Sequence, residues 1–122
     1  MTKLLVCGSR TITNVSWIFS EIEKYISESN LQYSDIHIIE GSAKGVDKIA
    51  KQFADDRNIP VIEMSADWKS YGRAAGPIRN EQMVKLCDQC LILWDGKSRG
   101  TKNDIDLCDK YNKSNKIVIY KE

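Results

Sequence analysis

The residues best suited to chemistry fall in four glycine-containing segments, and the groups they share are those that hold an anion. Gly8-Ser9-Arg10-Thr11 offers a backbone able to bring N–H groups close to a phosphate, a hydroxyl, and a guanidinium with paired donors. As a tetrapeptide it reads equally well as a strand-ending turn with a solvated arginine. Gly41-Ser42-Ala43-Lys44-Gly45-Val46-Asp47 opens a helical pattern, so unpaired N–H groups at that helix end would face any anion in front of it. It is neither a Walker A loop nor a G-x-G-x-x-G turn. Gly41 and Gly45 permit tight geometry, Ser42 and Lys44 supply donors, and Asp47 is either a ligand contact or a partner of the helix dipole.

The third segment, residues 68–80, gathers Trp68, Tyr71, Gly72, Arg73, Arg79 and Asn80. Two arginines, an amide and two aromatic rings suit a phosphate or carboxylate beside a flat ring, although Trp68 also reads as a simple anchor for the loop. Pro77 suits the first turn of a helix, where its missing N–H costs nothing. Arg79 would then stand in that first turn, where positive charge is unfavourable and a bound anion would remove the penalty. The fourth segment, Asp95 to Asp104, provides Asp95, Ser98, Gly100 and Thr101 at another helix entry. Capping by Ser98 or Thr101 is the competing explanation. Asp104, one turn in, could approach a ribose hydroxyl or a developing glycosyl cation.

These segments recur because of the elements between them. Short apolar runs at 3–7, 35–40, 60–64, 89–94 and 116–120 read as strands. Val15, Ile18, Phe19, Ile22, Tyr25 and Ile26 have helical spacing, as do Val46, Ile49, Ala50, Phe53 and Ala54. Further helices are expected from Pro77 to about Leu86 and around Ile105, Leu107, Cys108 and Tyr111. Residues 65–76 read as a long polar loop. Near-continuous apolar strands alternating with helices imply a parallel sheet covered on both faces. The expected fold is α/β, a single Rossmann-like three-layer α/β/α domain over residues 1–122 with a five-stranded parallel sheet. Such sheets bind ligands at the carboxyl ends of their strands, so the four segments are expected to converge on one site.

Composition narrows the partners. The 122 residues suit one domain, and 42% hydrophobic with 29% charged residues lies outside the range of disordered chains. Lys and Arg number 18 against 17 Asp and Glu, which sets duplex DNA and an anionic membrane aside and disfavours nucleic acid as a partner. The apolar amino-terminal run is too short for a signal peptide or a membrane span, so a cytoplasmic location is expected. Cys87 and Cys90 form a C-x-x-C, but no second pair or histidine cluster completes a zinc site. Four reduced, buried cysteines, no metal and no cofactor are expected.

Taken together, GSR (8–10), GSAKGVD (41–47), DWKSYGRAAGPIRNEQM (67–83) and WDGKSRGT (94–101) resemble the YspA-related family of the SLOG superfamily over nearly the whole chain. That superfamily includes the Lonely Guy phosphoribohydrolases and the Rossmann domain of DNA-processing protein A. The resemblance implies a Rossmann-like sheet that binds nucleotides or their derivatives, with several members proposed as sensors or processors of such molecules in phage conflict. It also admits a homodimer. The phosphoribohydrolases carry Arg-Lys-x-x-Met and then Pro-Gly-Gly-x-Gly-Thr-x-x-Glu, matched here by Arg79, Asn80 and Met83, then Gly100, Thr101 and Asp104. Asn80 replaces the Lys, and Asp104 is one methylene shorter than the Glu.

The leading expectation is therefore binding or sensing of a nucleotide-derived phosphorylated small molecule. An N-glycosidase acting on nucleoside monophosphates is the alternative, with Arg79 orienting the sugar phosphate and Asp104 stabilising the transition state. Single-stranded nucleic-acid binding is a second alternative, favoured by Trp68 and Tyr71 as stacking groups and opposed by the balanced charge.

Overall fold

The computed structural model describes residues 1–121. Five strands, β1 (Thr2–Gly8), β2 (Ile36–Glu40), β3 (Val61–Glu63), β4 (Gln89–Trp94) and β5 (Ser114–Ile119), form one sheet in the order β3-β2-β1-β4-β5. Every pairing is parallel. Leu4, Leu5, Val6 and Cys7 are all buried because β1 is central and covered on both faces. Side chains alternate across the strand. Leu4 and Val6 enter one core beneath α1 (Val15–Glu28) and α2 (Val46–Asp56). Leu5 and Cys7 enter the other, beneath α4 (Ala75–Leu86) and α5 (Arg99–Lys110).

The helices begin and end where local chemistry dictates. Asn14 caps α1, its side-chain oxygen accepting from Trp17 N at 3.0 Å. Asn30, Asn58 and Asn112 take positive φ just beyond α1, α2 and α5, the conformation that closes a helix. Phe53 on α2 is fully buried against Phe19 and Tyr33, and truncating such a residue to alanine costs about 3–5 kcal/mol. All four cysteines are free and buried, and each contributes to the core below α4 and α5.

The sheet runs from β1 outward to β3, then returns across β1 to place β4 and β5 on the other side. Strand order thus reverses between β1 and β4. The loops leaving neighbouring strands there turn to opposite faces and leave a crevice between them.

The segment expected as a long polar loop is mostly helical. Residues Trp68–Tyr71 form a one-turn helix, α3, followed by a 3-10 turn at Gly72–Ala74 and then α4. Asp67 starts α3 by accepting from Ser70 N at 3.2 Å. Ala74 and Ala75 favour the helix that follows, so it begins two residues before Pro77. Arg79 consequently stands in the second turn of α4 rather than the first, and the expected penalty from the helix dipole is correspondingly weak. Likewise Gly100 and Thr101 belong to the first turn of α5, not to a loop before it.

Candidate functional site

Glycine lets the first two loops touch. A Cβ on Gly8 would lie 2.1 Å from Leu93 O, so the end of β1 passes directly against β4. Gly45 has φ +81°, and a Cβ there would lie 2.6 Å from Ser9 O, so the loop before α2 rests on the loop after β1. Ser9 ties the crevice together. Its N–H donates to Leu93 O at 3.0 Å, and its buried hydroxyl accepts from Asp95 N at 3.0 Å and lies 3.3 Å from Thr101 Oγ1.

A cavity of about 480 Å³ occupies the crevice. It is lined by Gly8, Arg10 and Asp47 from the first two loops, and by Trp68, Arg79 and Asn80 from the third segment. Ser98, Gly100, Thr101 and Asp104 come from the fourth. Gly41, Ser42 and Lys44 line an adjoining lobe that shares Arg10, Trp68 and Arg79 with the main cavity. Three candidates have other work. Ser9 and Gly45 hold the loops against each other, and Asp95 organises its own loop, accepting from Thr11 Oγ1 and from the N–H groups of Lys97 and Ser98. Tyr71, Gly72 and Arg73 line neither the cavity nor its lobe, because α3 and the turn after it carry them outward.

Arg79 is 9% exposed. Its Nη1 donates to Gly41 O at 2.6 Å and its Nε to Asn80 Oδ1 at 3.0 Å, while Nη2 makes no hydrogen bond within the described residues. It forms no ion pair among the described residues. The amide of Asn80 continues the chain to Asn103 Oδ1 at 3.0 Å, locking α4 to α5. At the start of α5 the Ser98 hydroxyl donates to Asp95 Oδ2 at 2.8 Å and gives the helix no side-chain cap. Capping by Ser98 is thereby ruled out, and the amino end of α5 faces the cavity with its N–H groups uncapped.

Three carboxyl groups lie beneath these cations. Burial pushes Asp104 up to about 7, reinforced by the charge of Asp47, and its Oδ1 has no partner. Burial pushes Asp47 up to about 6, opposed by the N–H of Ala43 and the charge of Arg79. Glu40, pushed up to about 8 by burial and by the neighbouring Glu63 carboxyl, accepts from Ser42 N at 2.7 Å through Oε1, while Oε2 is unpaired among the described residues. Asp95 shows the reverse. Burial acts to raise it, but hydrogen bonds from Ser98, Thr11 and Lys97 together hold it well below the usual carboxylate range.

Sequence reasoning missed Cys7, Ala43, Gly76, Arg99 and Asn103 in the cavity wall, and Glu40 beneath the adjoining loop. A carboxylate ending the isoleucine run of β2 was the available signal for Glu40. Asn103 lies one helical turn beyond Gly100 and therefore shares its face.

The family model for the YspA, cpYpsA-related SLOG family matches residues 2–71, more than half of the 122 residues. The chain belongs to this family. The matched span carries the first two loops of this SLOG domain and ends before Arg79 and α5. Over 109 residues it is 29% identical to the Gene 61 protein of Mycobacterium phage D29, covering 84% of this chain and 85% of that protein. Its fold is similar to that of DNA processing protein A from Helicobacter pylori, with a TM-score of 0.72 and 18% identity over 98% of this chain and 66% of that one. The Streptococcus pneumoniae DNA processing protein A gives a TM-score of 0.76 and 18% identity over 99% of this chain and 51% of that one. The chain thus spans about two thirds and half of those chains. No helix is long and apolar enough to cross a membrane among the described residues.

One expectation is overturned. Balanced net charge disfavours nucleic acid as a partner, yet the H. pylori protein of this fold has a single-stranded DNA binding mode. Net charge sums the whole surface, whereas binding responds to the local field, and here Arg10, Lys44, Arg79 and Arg99 gather at one sheet edge.

Proposed function

We propose that the crevice binds a nucleoside phosphate, its anion seated between Arg79 and the amino end of α5, with Trp68 at the rim beside the base. The observation that carries this reading is Arg79: a guanidinium nine-tenths buried, held by neutral acceptors and without an ion pair among the described residues, turned into the same cavity as an uncapped helix end. An anion there would gain charged hydrogen bonds in a partly desolvated site. Binding is favoured over hydrolysis because a carboxyl pushed up to about 7 is only partly ionised at neutral pH, which weakens Asp104 as a partner for an oxocarbenium-like transition state.

Single-stranded nucleic acid is the second reading. Trp68 at the crevice rim is 52% exposed and Tyr71, carried outward on the same short helix, is 53% exposed, and exposed rings of this kind serve as stacking platforms. The fold shared with DNA processing protein A favours the same reading. Calorimetric titration of the whole chain with nucleoside 5′-monophosphates, the matching unphosphorylated nucleosides and a short oligodeoxynucleotide tests both. The expected result is phosphate-dependent binding of the monophosphates without chromatographic release of free base. Equal affinity for phosphorylated and unphosphorylated nucleosides would remove the anion site, and exclusive binding of the oligonucleotide would promote the second reading.

A further inference from the structure

We infer that the ligand of this crevice carries a second phosphate, separated from the first by a nucleoside, which seats in the adjoining lobe over the loop after β2. The inference deepens the nucleoside-phosphate reading and rests on it.

The lobe has a volume of about 340 Å³ and is lined by Arg10, Ser42, Lys44, Ser65, Trp68 and Arg79 together with backbone of the 41–44 segment. It presents three cationic side chains and no carboxylate. The main cavity, in contrast, mixes its arginines with Asp47 and Asp104. Neither Arg10 nor Lys44 forms an ion pair among the described residues, and the charge of Arg10 reaches the buried Asp47 only at longer range. Ser42 holds φ +65°, an uncommon conformation for serine, with its N–H engaged by the buried Glu40. The loop is thereby fixed while Lys44 stays exposed. Arg79, nine-tenths buried with Nη2 unpartnered among the described residues, belongs to both walls and stands at the junction.

Spacing then selects the ligand. The uncapped end of α5 follows β4, and the 41–45 loop follows β2; β1 lies between them. Two strand spacings amount to about 10 Å. Phosphates joined through one bridging oxygen are too close together to reach both places. A nucleoside phosphorylated at both ends of its sugar has its two anions further apart, and an internal unit of single-stranded nucleic acid has the same chemistry.

The test titrates wild type and Lys44→Ala with nucleoside 5′-monophosphate, 5′-diphosphate and 3′,5′-bisphosphate of each common base, and with a short 5′-phosphorylated oligodeoxynucleotide. The bisphosphate is expected to bind roughly tenfold or more tighter than the monophosphate, as one charged hydrogen bond supplies, while the diphosphate does not reproduce the gain. Lys44→Ala should reduce bisphosphate affinity by roughly tenfold more than monophosphate affinity. Lys44-sensitive binding of the oligonucleotide would assign the two phosphates to a strand, and its absence would assign them to a free bisphosphate. Monophosphate binding with no bisphosphate gain, or a gain that survives Lys44→Ala, overturns the inference and leaves the anion site standing. Failure of every probe overturns both.

Discussion

Residues differ in whether they serve the fold or the cavity, and Gly100 separates the two. A Cβ there meets nothing within 4 Å, and the residue lies in the first turn of α5 facing the cavity. Gly100→Ala therefore introduces a methyl group where a phosphate would approach the helix end. Because alanine suits a helix better than glycine, the free protein should be unchanged or more stable by up to about 1 kcal/mol. Nucleoside monophosphate affinity should nonetheless drop. Calorimetric unfolding and titration of the same variant check both halves, and undiminished affinity would move the anion away from α5. Arg79 cannot serve this purpose, since its removal strands Gly41 O, and an unsatisfied buried acceptor costs about 1–3 kcal/mol. Its place in the cavity wall was legible from its company in the sequence, whereas its burial was not, because the helix carrying it starts earlier than Pro77 suggested.

Elements were legible in proportion to their length. Helices α1 and α2 and the buried strands span enough residues for their periods to show, but α3 has four residues, less than the two turns a helical pattern needs. Gly72, Gly76 and Pro77 made that region resemble a loop, although Gly76 is buried in α4 with the Trp68 ring 3.4 Å from where its Cβ would stand. The contact between the first two loops could not be read at all, since it depends on how far apart β1 and β2 end. It predicts a contrast between two glycines of nearly equal φ. Gly45→Ala would drive a methyl group into the carbonyl oxygens of Ser9 and Arg10 at 2.6 and 2.7 Å, while at Gly96, with φ +80°, the added carbon meets nothing. Gly96→Ala should cost about 1–2 kcal/mol for the left-handed conformation alone. Gly45→Ala should cost clearly more, because both neighbours are backbone. Equal shifts of the denaturation midpoint would mean that the two loops are not packed together.

At the scale of the molecule, alternation of strands and helices was enough to place four segments near one sheet edge, but strand order and net charge were not equally informative. The order 3-2-1-4-5 emerges from packing both faces, and a near-zero sum of charges conceals cations at the crevice and carboxyls beneath them. That layering has a consequence for stability. Asp47, Asp104 and Glu40 hold protons more tightly when folded, at about 6, 7 and 8, than at their ordinary values of 3.8, 3.8 and 4.5. Over the interval between those values the folded state binds more protons than the unfolded one, so stability falls as pH rises. Their contribution is complete below about pH 4 and is lost as pH climbs through 6, 7 and 8. Asp95 acts in the opposite sense, since its depressed carboxyl contributes stability above its ordinary value that disappears on further acidification. The two trends place maximum stability on the mildly acidic side of neutrality. Calorimetric unfolding at fixed ionic strength from about pH 4 to about pH 9 should show the melting temperature decline across neutrality, by an amount on the order of a few kcal/mol in free energy. Asp104→Asn keeps the shape of the buried group while removing its titration, and it should make that decline shallower. A melting temperature that stays level or rises from pH 5 to pH 8 would show that the carboxyls beneath the crevice are ionised in the folded protein, with Arg79 then already compensated from within the fold.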